Sequence, residues 1–139
     1  MAESEGKENT MKLNPNCIRA LLLQCEDSLT LDERLVWQPL HLPDFCTSLP
    51  LYSRQEIAYT LYLLDDADYI ETHIVESDNG IIDIYVYRLT YLGHEFIDSI
   101  RSNPVWEKIQ SALNVIGSVS LPIIQELGSH FVLELLKHP

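Results

Sequence analysis

A chain of 139 residues, 46% hydrophobic and 22% charged, has the size of one domain that buries a core without disulfides or metals. No apolar stretch reaches the length of a membrane span, and the polar, acidic start MAESEGKENTMK lacks the basic and then apolar plan of a secretory signal, so a cytoplasmic protein is expected. With 21 acids against 9 bases the net charge is −12, which disfavours non-specific contact with phosphate polymers or anionic lipid unless the bases gather locally.

Residues 1–11 carry no hydrophobic periodicity and read as a disordered extension, with Met11 an alternative start. Asn14 caps a first helix that begins at Pro15 and repeats Cys17, Ile18, Leu21, Leu22 and Cys25 at helical spacing. Cys17 and Cys25 are too far apart on one helix to bond each other, and with Cys46 they read as reduced core thiols. Residues 36–42 alternate like a strand, but Pro39 removes a ladder donor and demotes the segment to a short edge strand. Residues 43–50 are loop-like. Ser53 and Glu56 form a capping box for a second helix over 53–67, with Ile57, Leu61 and Leu64 on one face.

Strands over 69–75 and 81–89 follow, joined through Ser77-Asp78-Asn79-Gly80, where Asn-Gly supplies the positive φ of a tight hairpin. Even positions, Ile70 and Ile74 in one strand and Ile82, Ile84 and Val86 in the other, are assigned to the core side. Thr90 caps a helix carrying Phe96, Ile97 and Ile100; Asn103-Pro104 interrupts it, and Trp106, Ile109, Leu113 and Ile116 line the next segment. A last helix over 120–136 places Ile124, Leu127, Phe131, Val132 and Leu135 in one apolar sector and leaves Leu133 and Leu136 outside it. That surplus points to a homodimer through Phe131, Leu133 and Leu136. The expected architecture is α+β: a winged-helix-like domain over 12–102, ordered helix, short strand, helix and two-stranded β-wing, followed by a helical extension over 103–139 that packs on the domain or on a second copy. The usual middle helix would have to be compressed into residues 44–49.

The segments MKLNPNCIRALLL, YSRQEIAYTLYLLDDADYIE, RLTYLGHEFIDSIRSNPVWEKI and GSVSLPIIQEL resemble a phage and prophage family, the domain of unknown function two-five-one-three. The resemblance spans residues 11–127, with Leu-Thr-x-x-Gly-His-Glu-Phe and the later Trp-x-Lys in the expected order. It implies a phage-related origin and a winged-helix-like body, and it brings no assigned activity or functional residue. At Ala67-Asp68 the chain departs from the Ala-Gly ending common in such helices, and Asp68 is expected to take a left-handed turn.

Catalytic chemistry finds little support. His94-Glu95 resembles the start of a zinc-protease helix, but Asp98 stands where the second histidine is needed, and His41, His73, His130 and His138 are scattered. No glycine-rich elbow announces a nucleophile, and Gly93, Gly117 and Gly128 are too dispersed to cradle a phosphate. The acidic pairs Asp65-Asp66 and Glu26-Asp27 read as solvated helix ends. The expectation is a protein without enzymatic activity, cofactor or metal.

Charge distribution is the informative feature. A DNA-binding winged helix offers Lys and Arg to phosphates from its recognition helix and wing, yet residues 55–87 contain neither and carry eight acids. We therefore expect a protein-interaction module that meets a basic partner surface through Glu56, Tyr59, Tyr62, Asp65, Asp66, Asp68, Glu71, Glu76 and Asp78. In a phage setting it would act as an acidic inhibitor of a host nucleic-acid-handling or defence protein. The alternative expectation is a DNA-binding phage or prophage transcription regulator, in which Lys12, Arg19, Arg34, Arg54, Arg88, Arg101 and Lys108 gather on one face; duplex DNA is disfavoured on charge.

Overall fold

The computed structural model describes residues 12–117 and 120–138; the extension expected over 1–11 lies outside them. Helix α1 (Pro15–Ser28) starts where Asn14 Oδ1 accepts from the backbone N–H groups of Asn16 and Cys17, at 3.0 and 3.4 Å. These are two of the four donors that an α-helix leaves unpaired at its start. Its buried stripe is Cys17, Ile18, Leu21, Leu22 and Cys25, as the spacing predicts.

The segment expected as one edge strand over 36–42 is two strands in different sheets. Strands β1 (Thr30–Leu31) and β2 (Trp37–Gln38) form a small antiparallel hairpin, while β3 (Leu40–His41) pairs with a later strand. Pro39, with no N–H to give, falls at the break. Asp32 ties the hairpin loop: its Oδ1 accepts from the N–H groups of Arg34 and Val36 at 2.8 and 3.0 Å. Leu35 beside it takes the left-handed conformation, φ 66°, a state that costs a non-glycine residue about 1–2 kcal/mol.

Helix α2 (Leu42–Ser48) occupies what the sequence reads as loop. Pro43 falls in its first turn, where the missing N–H costs no bond, and Asp44 accepts from the His41 N–H at 3.0 Å. Leu42 and Phe45, one turn apart, are buried, so even this short helix has a core face. Helix α3 (Arg54–Asp66) follows, with Ser53 Oγ accepting from the Glu56 N–H and Ile57, Thr60, Leu61 and Leu64 buried.

Strands β4 (Ile70–Ser77) and β5 (Gly80–Leu89) form the long hairpin, and β3 completes a three-stranded antiparallel sheet of order β3-β5-β4. The pairing Glu71–Arg88, Thr72–Val86 leaves Tyr87 extra on β5; Val75–Asp83, Glu76–Ile81 leaves Ile82 extra. Each bulge switches which side of β5 faces inward. Ile84 and Val86 are buried as expected. Ile82, assigned to the core from its even position, is instead exposed, while Ile81 packs against the core and Leu89 is buried.

Three helices complete the described chain: α4 (Tyr91–Ile100), α5 (Asn103–Ile116) and α6 (Leu121–Lys137). Their N-caps are Thr90, Ser102 and Ser120, each accepting from the backbone N–H three residues on. Helix α6 packs on α4 and α5, and Val105, Trp106, Ile109, Leu113 and Ile124 share one buried cluster with α1, α3 and the sheet. The C-terminal helices are thus part of the same α+β core. Arg19 fastens the α4–α5 joint: its guanidinium donates to the carbonyls of Ile100 and Arg101 and to Asn103 Oδ1, and lies over the Trp106 ring.

The Leu-Thr-x-x-Gly-His-Glu-Phe run docks α4. The Thr90 N–H donates to the Tyr69 carbonyl at 3.1 Å and Thr90 Oγ1 donates to that of Asp68. Gly93 is buried against the same Tyr69 carbonyl, which a Cβ would overlap, and Phe96 stacks on the Tyr69 ring at 4.9 Å between centroids. Asp68 is left-handed, φ 63°, as its place after α3 predicts. No helix among the described residues is long and apolar enough to cross a membrane.

Candidate interaction surface

The residues singled out on α3 and the β4–β5 hairpin separate into three groups. Gln55, Tyr59, Tyr62 and Asp66 recur at i, i+4, i+7 and i+11, opposite the buried stripe, and form the outward ridge of α3. Tyr59 and Tyr62 are half-buried and Asp66 is exposed.

A second group has its charge engaged within the chain. Glu56 Oε2 accepts from Asn14 Nδ2 at 2.9 Å, across a groove of about 620 Å³ between α1 and the start of α3. Asp65 Oδ1 accepts from Thr72 Oγ1 at 2.8 Å, joining α3 to β4. Glu71 pairs with Arg88 across the hairpin at 2.7 Å. Asp83 bonds the backbone N–H groups of Leu42 and Ile84 and lies 2.9 Å from His41 Nδ1.

The third group, Asp66, Asp68, Glu76 and Asp78, is exposed, and these carboxylates have no hydrogen-bond or ion-pair partner among the described residues. Asp66 and Asp68 precede β4, and Glu76 and Asp78 are at its far end, so the hairpin separates two acidic spots by roughly 25 Å at strand rise.

Most of the cations expected to gather on one face are engaged within the chain, while Lys12, before α1, is exposed. Arg19 is spent on backbone carbonyls, Arg34 lies 3.8 Å from Asp32, Arg88 pairs with Glu71, and Arg101 pairs with Glu26 and Asp98. Lys108 sits over the Phe131 ring. Arg54 remains exposed at the start of α3. Of the residues expected at a dimer contact, Leu133 and Leu136 are exposed, whereas Phe131 packs against the chain's own core.

His41 sits at the joint between β3 and α2, stacked on Tyr85 with Asp83 and Asp44 beside it. The hydrogen bond that it donates to Asp83 holds its imidazolium above the ordinary histidine range, against some desolvation and with help from both negative charges. Burial alone would raise the Asp83 carboxyl, but the bonds from His41, Ile84 and Leu42 outweigh it and hold it low. Since the folded His41 value is raised, its stabilisation is complete below the unfolded value and disappears as pH rises through the folded one. We expect the melting midpoint to fall over that window, from near neutral pH upward, and this part of the pH dependence to vanish in His41→Gln; melts at stepped pH measure it.

Among the described residues, no three His, Cys, Asp or Glu side chains converge as a metal site requires. His94, in the zinc-protease-like pair, is exposed. Burial pushes the Cys17 and Cys25 thiols up to about 12, far from the range of a reactive thiolate.

A relative from Haemophilus influenzae Rd, described as an uncharacterized protein, is 28% identical over 127 residues, 91% of this chain and 99% of its own length. No solved structure matches the chain. The family described as Hypothetical protein (DUF2513) matches residues 12–120, the span that holds α1 to α5, the sheet and the Thr90–Gly93 docking turn, and the chain belongs to that family.

Proposed function

We propose that this chain is a winged-helix-like interaction module without catalytic activity, acting in the cytoplasm of a phage host or lysogen by offering α3 and the β4–β5 wing to a basic protein surface. Apart from the β1–β2 hairpin inserted after α1, the order α1, β3, α2, α3, β4, β5 with sheet order β3-β5-β4 matches the arrangement in which a wing flanks a recognition helix. The observation that carries the reading is electrostatic. Asp66, Asp68, Glu76 and Asp78 stand exposed there, and between Arg54 and Arg88 there is no cation to offset them.

Phosphate contacts supply essentially all non-specific affinity for DNA, and each needs a cation. This surface has the opposite sign, and the Tyr59–Tyr62 ridge supplies contact area at small entropic cost. Its chemistry fits the groove of a nucleic-acid-handling protein, where the carboxylates would stand in for phosphates. The order of elements also favours a second reading, a transcription regulator, against which the internal pairing of the arginines weighs.

The test is affinity capture from a bacterial extract with the wild-type chain and with Asp66→Lys/Glu76→Lys/Asp78→Lys. The expected result is a nucleic-acid-handling protein retained near about 0.1 M salt, released by about 0.5 M, and absent with the triple variant. Retention unaffected by both salt and charge reversal would remove the basis of the reading.

A further inference from the structure

We propose that two copies of this chain associate through an apolar strip running from the β1–β2 hairpin across α4 to α6. Exposed apolar residues are normal when scattered, as Leu51, Ile82 and Val115 are in this chain, but several others adjoin Tyr91. Leu31, Trp37 and Tyr91 line one open cavity of about 540 Å³. Tyr91, Val132 and Leu133 line a second of about 560 Å³, beside the polar His94, Glu95, Asp98 and Ser129. Tyr91 and His94 belong to both, so the two cavities adjoin. Leu35 and Val36 continue the strip beyond Trp37, and Leu136 continues it one helical turn beyond Leu133.

The area selects the occupant. Leu35, Tyr91 and Leu136 are each about three-quarters exposed (76%, 74% and 73%), and Leu31, Val36, Trp37 and Leu133 about half. Together these seven leave on the order of 800 Å² open, which is what each partner contributes to a stable interface. A monomer ordinarily shows a patch of only a few hundred Å². The strip also holds both halves of a self-complementary contact. The hairpin tip presents Leu35 in a left-handed conformation that Asp32 holds in place, and the groove beside it is open. A two-fold axis places each tip against the other copy's groove.

Local charge permits this in spite of the net charge of −12. Around the strip Arg34 faces Asp32, Arg88 faces Glu71, and Arg101 bridges Glu26 and Asp98. Asp27, Glu33, Glu95, Glu126 and Glu134 on the same elements are exposed and have no ion-pair partner among the described residues, so the association should strengthen with salt. Asp66, Asp68, Glu76 and Asp78 line neither cavity, so the association is tested separately from the function proposed above.

Sedimentation velocity over micromolar to submillimolar concentration tests the proposal. The wild-type chain should sediment at twice the mass of one chain. Tyr91→Glu and Leu133→Glu should each sediment as one chain, with melting midpoints near the dissociated wild type. Ile82→Glu, which alters an exposed apolar residue on the other hairpin, should remain double. Because Trp106 is buried and Trp37 is exposed, emission should shift to the blue with concentration in the wild type and stay fixed in Leu133→Glu. A wild-type chain that stays single throughout, or double species that persist in both Tyr91→Glu and Leu133→Glu, would overturn the proposal, including where the strip serves a different protein.

Discussion

Gly93→Ala should destabilise the chain by about 3 kcal/mol, lowering its melting midpoint by roughly 10 °C. In an ordinary helix the same change helps, because alanine exceeds glycine in helix propensity by about 1 kcal/mol. Here the added methyl would overlap the Tyr69 carbonyl, a backbone atom that also accepts the Thr90 N–H. Relief requires α4 to move away from the α3–β4 turn, which would disturb Phe96 on Tyr69 and the buried Ile97 and Ile100. Steric overlap with backbone therefore outweighs propensity and sets the sign. Gly117→Ala is the control: nothing among the described residues lies near its Cβ position, so its left-handed φ of 79° sets the cost, about 1 kcal/mol. Thermal melts of both variants measure the contrast, and a Gly93→Ala chain as stable as the wild type would mean that α4 does not dock as described.

The same glycine shows what a sequence discloses. Leu-Thr-x-x-Gly-His-Glu-Phe stands out in the chain, and its histidine and glutamate attract attention as candidate chemistry. In the fold they are exposed, while Leu89, Thr90, Gly93 and Phe96 seat the helix. The long helices were legible because their apolar stripes are local and each begins at a capping Asn, Ser or Thr. Helix α2 was not, since Leu42 and Phe45, one turn apart on either side of Pro43, leave almost no periodicity to detect. The β1–β2 hairpin, with two-residue strands and a left-handed leucine, was equally hidden.

Two features depend on partners distant in sequence. The side of β5 that faces the core is set by bulges, which exist only in its register with β4; parity alone therefore put Ile82 inside. Charge is similar. Counting finds eight acids over residues 55–87, but only the fold reveals that Asn14 engages Glu56 across 42 positions, Thr72 engages Asp65, Arg88 engages Glu71 and His41 engages Asp83. The negative surface is thus half as populated as the sequence suggests, and divided between the two ends of the β4–β5 hairpin.

Those remaining carboxylates make a second strong expectation possible. If their charge is what keeps a wing and helix of this arrangement off nucleic acid, reversing it should create an affinity that the wild type lacks. Asp66, Glu76 and Asp78 suit the purpose because they are exposed and without partners among the described residues, whereas Asp68 is needed for its left-handed turn.

The decisive measurement is anisotropy of a labelled, mixed-sequence DNA duplex titrated at about 50 mM salt with the wild-type chain and with Asp66→Lys/Glu76→Lys/Asp78→Lys. The wild type should give no change into the tens of micromolar, while the triple variant binds with log affinity falling against log salt at a slope of about −3, one counterion per new lysine. Micromolar or tighter binding by the wild-type chain, with a comparable salt slope, would contradict the account.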